Sequence, residues 1–256
     1  MKNSLDSDFP LTRKYVYLNS AAVGACPGST IKVVEDYIKD RCAWLKGEDE
    51  WEESIDKWME RIEGSKKIFA KIIGAKDSEV AFIPNTTTGI NTVFSMLPLK
   101  PKENIVTTDM SYPMGAIVCL KQRERGVETR FVKNVNGEVR TEDFEDAIDD
   151  KTVAVMVDQA GWHNGFLHDL KAISQVAHEH GALLVVDAVQ SAGGLKIDVK
   201  REGIDFLATS TYKWLLGGPY TQSAGFLYID EEYIDAFQPT FVGNQTIEED
   251  KLRTNT

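Results

Sequence analysis

From residue 79 onward, short apolar runs rich in β-branched residues alternate with amphipathic stretches, and that texture admits few folds. Val80–Ile83, Asn104–Thr107, Val127–Val132, Val153–Val157, Ala182–Val186, Phe206–Ala208 and Gly225–Ile229 read as strands. Between the first five lie segments with helical spacing, Gly89–Leu97, Gly115–Glu124, Thr141–Ile148 with Thr141 as its cap, and Leu170–His180. Strands that are apolar on both sides need cover on both faces. The chain is therefore expected to be α/β, a three-layer sandwich with a mostly parallel central sheet. In such sheets ligands sit beyond the carboxyl ends of the strands, which singles out the loops that follow them.

The region before residue 79 is different. Residues 1–20 read as an exposed arm that ends in a short β segment, Tyr15–Leu18, followed by the small residues Asn19 to Gly24, where backbone can approach another group closely. With Ser29 as N-cap, a helix is expected from Ile31 to about Lys46. A second spans Trp51–Ile73, with Ile55, Trp58, Met59, Ile62, Ile68, Phe69 and Ile72 on its apolar side. Trp44, Trp51 and Trp58 could form a stacking platform, but at helical spacing they read as packing residues.

Four strand-end loops carry chemistry. Pro84 to Asn91 offers Thr86, Thr87 and Thr88 at a helix start, where unpaired N–H groups and the helix dipole favour an anion such as phosphate. An ordinary capped helix would look the same. Asp109 to Pro113 holds Tyr112, which could lie over a flat ring or simply occupy a turn. Asp187 ends the apolar run Leu183–Val186, and a carboxylate there is costly unless a cation or good hydrogen bonds meet it. A pyridinium nitrogen would do so, with Gln190 three residues on beside a phenolate oxygen. The last loop, Thr209–Ser210–Thr211–Tyr212–Lys213–Trp214, places a lysine among apolar and aromatic residues, which lowers its pKa as a Schiff-base amine requires. A lone lysine after a strand would be a solvated one. Phosphate loop, stacking ring, strand-end carboxylate and lysine together describe an aromatic aldehyde phosphate.

Composition removes other classes. With 29 Lys and Arg against 40 Asp and Glu, the net charge of −11 argues against a nucleic-acid partner. Cys26, Cys42 and Cys119 lie far apart without a CxxC pair, which suits a reducing cytoplasm better than disulfides or zinc. Neither a signal peptide nor a membrane-length apolar run is present, so a cytoplasmic protein without a membrane partner is expected. No strand is followed by GxGxxG, which counts against a dinucleotide site.

Four ordered motifs carry a resemblance. They are Tyr17–Leu18–Asn19–Ser20–Ala21–Ala22, Asn85–Thr86–Thr87–Thr88–Gly89–Ile90–Asn91, Val186–Asp187–Ala188–Val189–Gln190–Ser191, and Ser210–Thr211–Tyr212–Lys213–Trp214–Leu215–Leu216–Gly217. Across about Tyr15 to Gly243 the chain resembles the class V aminotransferase family of fold-type I pyridoxal-phosphate enzymes, which includes cysteine desulfurases, kynureninases and isopenicillin N epimerase-like proteins. The resemblance implies pyridoxal 5′-phosphate as cofactor and an amino acid as substrate. It implies that Lys213 forms the internal aldimine and moves the α-proton, and that Asp187 bonds the ring nitrogen and Gln190 the O3′ oxygen. Thr86, Thr87, Ser210 and Tyr212 would hold the phosphate, Tyr112 would stack on the ring, and Asn19 to Ala22, with Asn19 and Ala21 foremost, would line the substrate entrance. A homodimer is implied by the same analogy.

Departures from the family pattern narrow the expectation. Desulfurases carry histidines where this chain has Tyr212 and Tyr112, and an asparagine where it has Trp162. They also use a mobile cysteine from a later segment, and Cys26 is not expected to replace it. The reading is thus transamination, β-elimination or epimerisation rather than desulfurization. Three parts are expected: the arm at 1–20, a cofactor-binding large domain at 21–245, and a polar tail at 246–256 in place of a largely missing C-terminal small domain. The arginine that this domain supplies for the substrate carboxylate has no counterpart, Arg253 lying in the tail. An idle, truncated cofactor-binding or oligomerisation domain is the alternative.

Overall fold

The structure is a computed structural model, and it describes residues 8–47, 51–218 and 224–242. The tail at 246–256, Gly243, and the first seven residues of the arm lie outside the described residues, as does the Trp51 side chain. Seven strands form one sheet: β1 (Val80–Ile83), β2 (Asn104–Thr108), β3 (Glu128–Val132), β4 (Thr152–Asp158), β5 (Leu183–Asp187), β6 (Phe206–Ser210) and β7 (Gly225–Ile229). Their order is β1-β7-β6-β5-β4-β2-β3, with β3 through β6 parallel and β7 antiparallel to both its neighbours. The sheet is mixed but mostly parallel, as the alternation of strands and helices predicts.

Two cores confirm the three layers. Side chains alternate across a strand with period two, and here the alternation sorts them cleanly. Val106, Val155, Val157, Leu184, Val186 and Leu207 enter one core, with Phe69, Ile173 and Tyr228. Ile105, Ala154, Met156, Val185, Phe206 and Ala208 enter the other, with Ile90, Phe94 and Val118. The first core is covered by α2 (Trp51–Ile73) and α6 (Leu170–Glu179), and the second by α3 (Thr86–Met96) and α4 (Pro113–Lys121). The remaining helices are α1 (Gly28–Leu45) and three single turns, α5 (Glu142–Glu145), α7 (Val199–Glu202) and α8 (Glu231–Ile234).

Several local expectations are corrected. Tyr15–Leu18 is not a strand but coil, with Tyr15, Val16 and Leu18 exposed, and among the described residues no strand pairs with its backbone. Ser29 does not cap α1. Pro27 holds the cap position, and Asp8 meets the exposed groups, accepting from the Ser29 N–H (2.8 Å) and hydroxyl (2.5 Å). The helix expected over 141–148 shrinks to Glu142–Glu145, and the Thr141 side chain makes no capping bond. On α2 the buried apolar positions are Phe69, Ala70 and Ile73, while Met59, Ile62, Ile68 and Ile72 stay exposed. Only the last turns of α2 reach the sheet. Trp58 packs as expected, its indole donating to Asp40 and meeting Tyr37 edge-on at 4.9 Å.

One buried carboxylate ties the antiparallel edge together. Glu79, immediately before β1, is buried and accepts from the N–H of Lys76 (2.7 Å) and of Glu231 (3.0 Å) and from the Lys200 ammonium. These partners come from α7, α8 and the turn after α2. Replacing Glu79 with alanine takes this acceptor from the Lys76 and Glu231 N–H groups, Lys200 keeping Asp230, and is expected to lower unfolding stability by about 2–3 kcal/mol, measured by urea denaturation. A loss within 0.5 kcal/mol, the range usual for surface substitutions, would show that the network holds nothing together.

Candidate active site

The parallel strands aim their carboxyl ends at one side of the sheet, and there a cavity of about 320 Å³ opens between β5, β6 and the start of α3. Thr86, Thr87, Tyr112, Asp187, Ser210, Tyr212 and Lys213 line it, with Pro84, Asn85, Met114 and Val189. The helix start is organised by Asn85, whose side chain accepts from the Thr88 N–H at 2.9 Å. That bond lets α3 begin at Thr86, three residues earlier than the apolar spacing predicts. Thr86 is buried against β6, its N–H donating to the Ser210 Oγ at 2.9 Å and its hydroxyl lying 2.8 Å from the same atom. Gly89 makes the close approach possible, since a Cβ there would meet Ile83 at 2.6 Å and Ala208 at 2.9 Å.

Asp187 ends β5, 2% exposed. Its Oδ1 accepts the Val189 N–H at 2.9 Å, while Oδ2 is buried without a hydrogen-bond partner. Burial pushes its pKa up to about 6, against the opposing pull of the Val189 N–H and of Lys213. Directly across the ladder, in register on β4, stands Asp158, 4% exposed. Its Oδ2 accepts the Tyr112 N–H at 2.8 Å and its Oδ1 has no partner. Burial raises this carboxyl well above the usual carboxylate range, and the charge of Asp187 adds to the effect. Lys213 is 7% exposed, with its Nζ 5.7 Å from the centre of the Tyr212 ring. Burial lowers its pKa, and the two aspartates pull it back up.

Small residues set the backbone around the lysine. A Cβ on Gly24 would lie 1.9 Å from the Lys213 carbonyl oxygen, and the Gly24 N–H donates to the Tyr212 carbonyl at 2.8 Å. The close approach expected of the small-residue stretch is thus made onto the lysine loop. The loop itself is closed by the Thr211 N–H to the Ala224 carbonyl (2.9 Å) and the Gly217 N–H to the Thr211 carbonyl (2.7 Å).

Three expected site residues lie elsewhere. Gln190 does not line the cavity. Its amide nitrogen donates to the Ala21 carbonyl at 2.9 Å and its oxygen accepts the Trp214 indole N–H at 3.1 Å. Both ends of the amide are thereby used to join the N-terminal stretch to the lysine loop. Asn19 and Ala21 are exposed and do not line the cavity either. Conversely, β4 runs one residue beyond the apolar stretch that ends at Val157, and this carries Asp158 into the sheet beside Asp187. The signal was present, since Val157–Asp158 repeats the pattern of Val186–Asp187, an apolar run closing on a carboxylate.

The donor set fits pyridoxal phosphate on its own terms. A buried, unpartnered Asp187 oxygen suits a protonated ring nitrogen, a buried lysine suits an aldehyde, and hydroxyls at a helix start suit a phosphate. A larger hollow of about 650 Å³ has Lys171 and Lys196 beside Asp169 and Glu202 in its lining, but both of its lysines are exposed, unlike the buried Lys213. Among the described residues no three His, Cys, Asp or Glu side chains could hold a metal, the three cysteines are free, and no helix is long and apolar enough to cross a membrane.

Fold and site together define a protein of the fold-type I pyridoxal-phosphate transferase class. A solved cysteine desulfurase from Thermococcus onnurineus NA1 superposes with a TM-score of 0.84 at 29% identity, covering 97% of this chain and 62% of that one. The sequence model of the Aminotransferase class-V family matches residues 16–256, and the chain belongs to that family. It is 34% identical over 231 residues to the uncharacterized aminotransferase YcbU of Bacillus subtilis, covering 90% of this chain and 59% of that protein. It is 32% identical to a probable cysteine desulfurase of Methanothermobacter thermautotrophicus, covering 94% and 59%. The chain spans about three fifths of the length of these relatives.

Proposed function

We propose that this protein is a pyridoxal-phosphate-dependent enzyme acting on an amino acid, with Lys213 as the amine that carries the cofactor and moves the substrate's α-proton. The observation that supports this most is the meeting of Lys213, Asp187 and the Thr86–Ser210 pair in one cavity at the strand ends. Once bound, the cofactor supplies an aldehyde carbon and an electron-poor ring that takes up the electron pair left when a Cα–H bond breaks. Asp187 Oδ2 would hold the ring nitrogen in its protonated form. Thr86, Thr87, Ser210 and Tyr212 would hold the phosphate at the α3 N-terminus, and Tyr112 would cover the ring face. Burial lowers the Lys213 pKa, which suits its Nζ to accept the α-proton and return it.

Transamination, β-elimination and epimerisation all begin with that proton transfer, and the reading covers the three. Tyr212, Tyr112 and Trp162, where cysteine desulfurases of the family carry histidines and an asparagine, favour these over sulfur transfer. The same reading has the enzyme working as a cytoplasmic homodimer, as the family resemblance suggests. Borohydride treatment of the cofactor-loaded protein, followed by digestion and mass spectrometry, tests the assignment. A pyridoxyl group on Lys213 is expected. Modification of another lysine, or of none, would overturn it.

A further inference from the structure

Beside the cavity two aromatic rings stand half in solvent, one of them the Tyr112 that would cover the cofactor ring. Tyr112 is 40% exposed and Trp162 is 43% exposed, and they meet edge-on with centroids 5.7 Å apart. Tyr112 lines the cavity, so the indole begins one ring beyond its wall. Exposed tryptophans usually sit on mobile segments or are single, but neither holds here. The loop that carries Trp162 is closed by an Ala160–Leu167 bridge and by the bonds Gly161 N–H to Phe166 carbonyl (2.7 Å) and Gly165 N–H to Gly161 carbonyl (3.0 Å). Asn164 pins it further, donating to the Gly137 carbonyl at 2.7 Å and accepting the Phe166 N–H at 3.0 Å. Gly165 supplies the left-handed turn, with φ of +72°. Tyr112 is held from the other side by Asp158 and by Pro113 at the start of α4. The rings are thus placed before anything binds, and a flat partner would find their ordering already done.

We infer that Tyr112 and Trp162 form a side-chain subsite, and that the amino acid taken by this enzyme has a large apolar, aromatic side chain. The inference rests on the cofactor reading above. A cavity of about 320 Å³ is largely occupied once it holds a pyridine ring and a phosphate. The substrate's side chain must then lie toward the open side of the cavity, where Tyr112 forms part of the wall and Trp162 meets it edge-on. A small or charged side chain would leave both rings wet. An aromatic one would desolvate them and adopt the offset or edge-on contacts that such rings favour. His163, tilted at 5.3 Å from the indole, adds a polar edge to the same wall.

The test uses the full chain loaded with pyridoxal phosphate and titrated with L-phenylalanine and with L-alanine, reading the shift of the cofactor's visible absorbance. Phenylalanine is expected to half-saturate at a concentration about tenfold below alanine. In Trp162→Ala that ratio should fall to about twofold or less, with the absorbance band and the melting temperature unchanged, and Trp162→Phe should keep most of the preference. Equal half-saturation in the unaltered protein, or a ratio that survives Trp162→Ala, overturns the subsite while leaving the cofactor reading intact. A cofactor band that neither amino acid shifts removes the amino-acid reading and the subsite with it. Absence of the band overturns the cofactor assignment itself.

Discussion

Lys213→Ala is expected to bind pyridoxal phosphate without the visible absorbance band of the unaltered protein and to lose activity by at least about 10²–10⁴-fold, the share that proton transfer alone contributes. The substitution removes two things from one atom, the amine that joins the aldehyde and the base that takes the α-proton. It also removes the cation between two buried carboxyls. Asp187 and Asp158 both raise the pKa of Lys213 through their charge, so each is in turn relieved by it. Without the lysine, a buried charge remains uncompensated, and the cofactor-free variant should be about 3 kcal/mol less stable at neutral pH. Absorbance after dialysis against the cofactor, and urea denaturation of the cofactor-free form, read the two effects separately. A variant that keeps the band would place the amine on another lysine.

Asp187→Asn should move stability and cofactor affinity in opposite directions. The folded pKa of Asp187, raised from 3.8 to about 6, means that the folded protein binds more protons than the unfolded chain between those values. Its contribution to stability is complete below pH 3.8 and is lost as the pH rises through about 6, a cost of about 3 kcal/mol at pH 7. Asparagine carries no charge and escapes that cost. Its buried N–H₂ group lacks an acceptor, which subtracts about 1–2 kcal/mol of the gain. The cofactor-free variant should therefore be more stable at pH 7 by about 1–2 kcal/mol, and its stability should fall less between pH 4 and pH 7, spanning the shift. Cofactor binding should weaken by about 10–100-fold, the value of a charge-assisted hydrogen bond to the ring nitrogen. Denaturation at several pH values and a cofactor titration decide it. A variant less stable at pH 7 would mean that Asp187 is ionised at no cost in the native protein.

Most of the sheet is legible in the residues because a strand buried on both faces has few substitutes for Val, Ile and Leu. Val153–Val157 and Ala182–Val186 read as strands for that reason, within a residue or so of their true ends. Asp187 and Lys213 were legible for a related reason, since polar groups at the ends of apolar runs need a partner, while Ser210 and Tyr212, which line the same cavity, came from the family resemblance. Where a position depends on a distant one, the reading stops. Tyr15–Leu18 has the side chains of a strand, and whether it pairs depends on an edge elsewhere. Gln190 sits three residues after Asp187 as the resemblance requires, yet its rotamer answers to Ala21 and Trp214. Asp158 was missed because one residue decides whether a strand end is inside the sheet.

The amino-acid sequence alone therefore determined the α/β class, the strand-end loops that meet at one cavity, and the presence there of a buried lysine and a strand-end carboxylate. These follow from local rules, period-two burial and the cost of an unpaired charge. Tertiary structure alone decided that Asp158 stands in register beside Asp187, that Gly24 closes on the Lys213 carbonyl, and that Trp162 meets Tyr112, a ring of the cavity wall. Each joins segments between 29 and 189 residues apart, and such contacts are set by how strands and loops pack in three dimensions, which local residue chemistry does not encode.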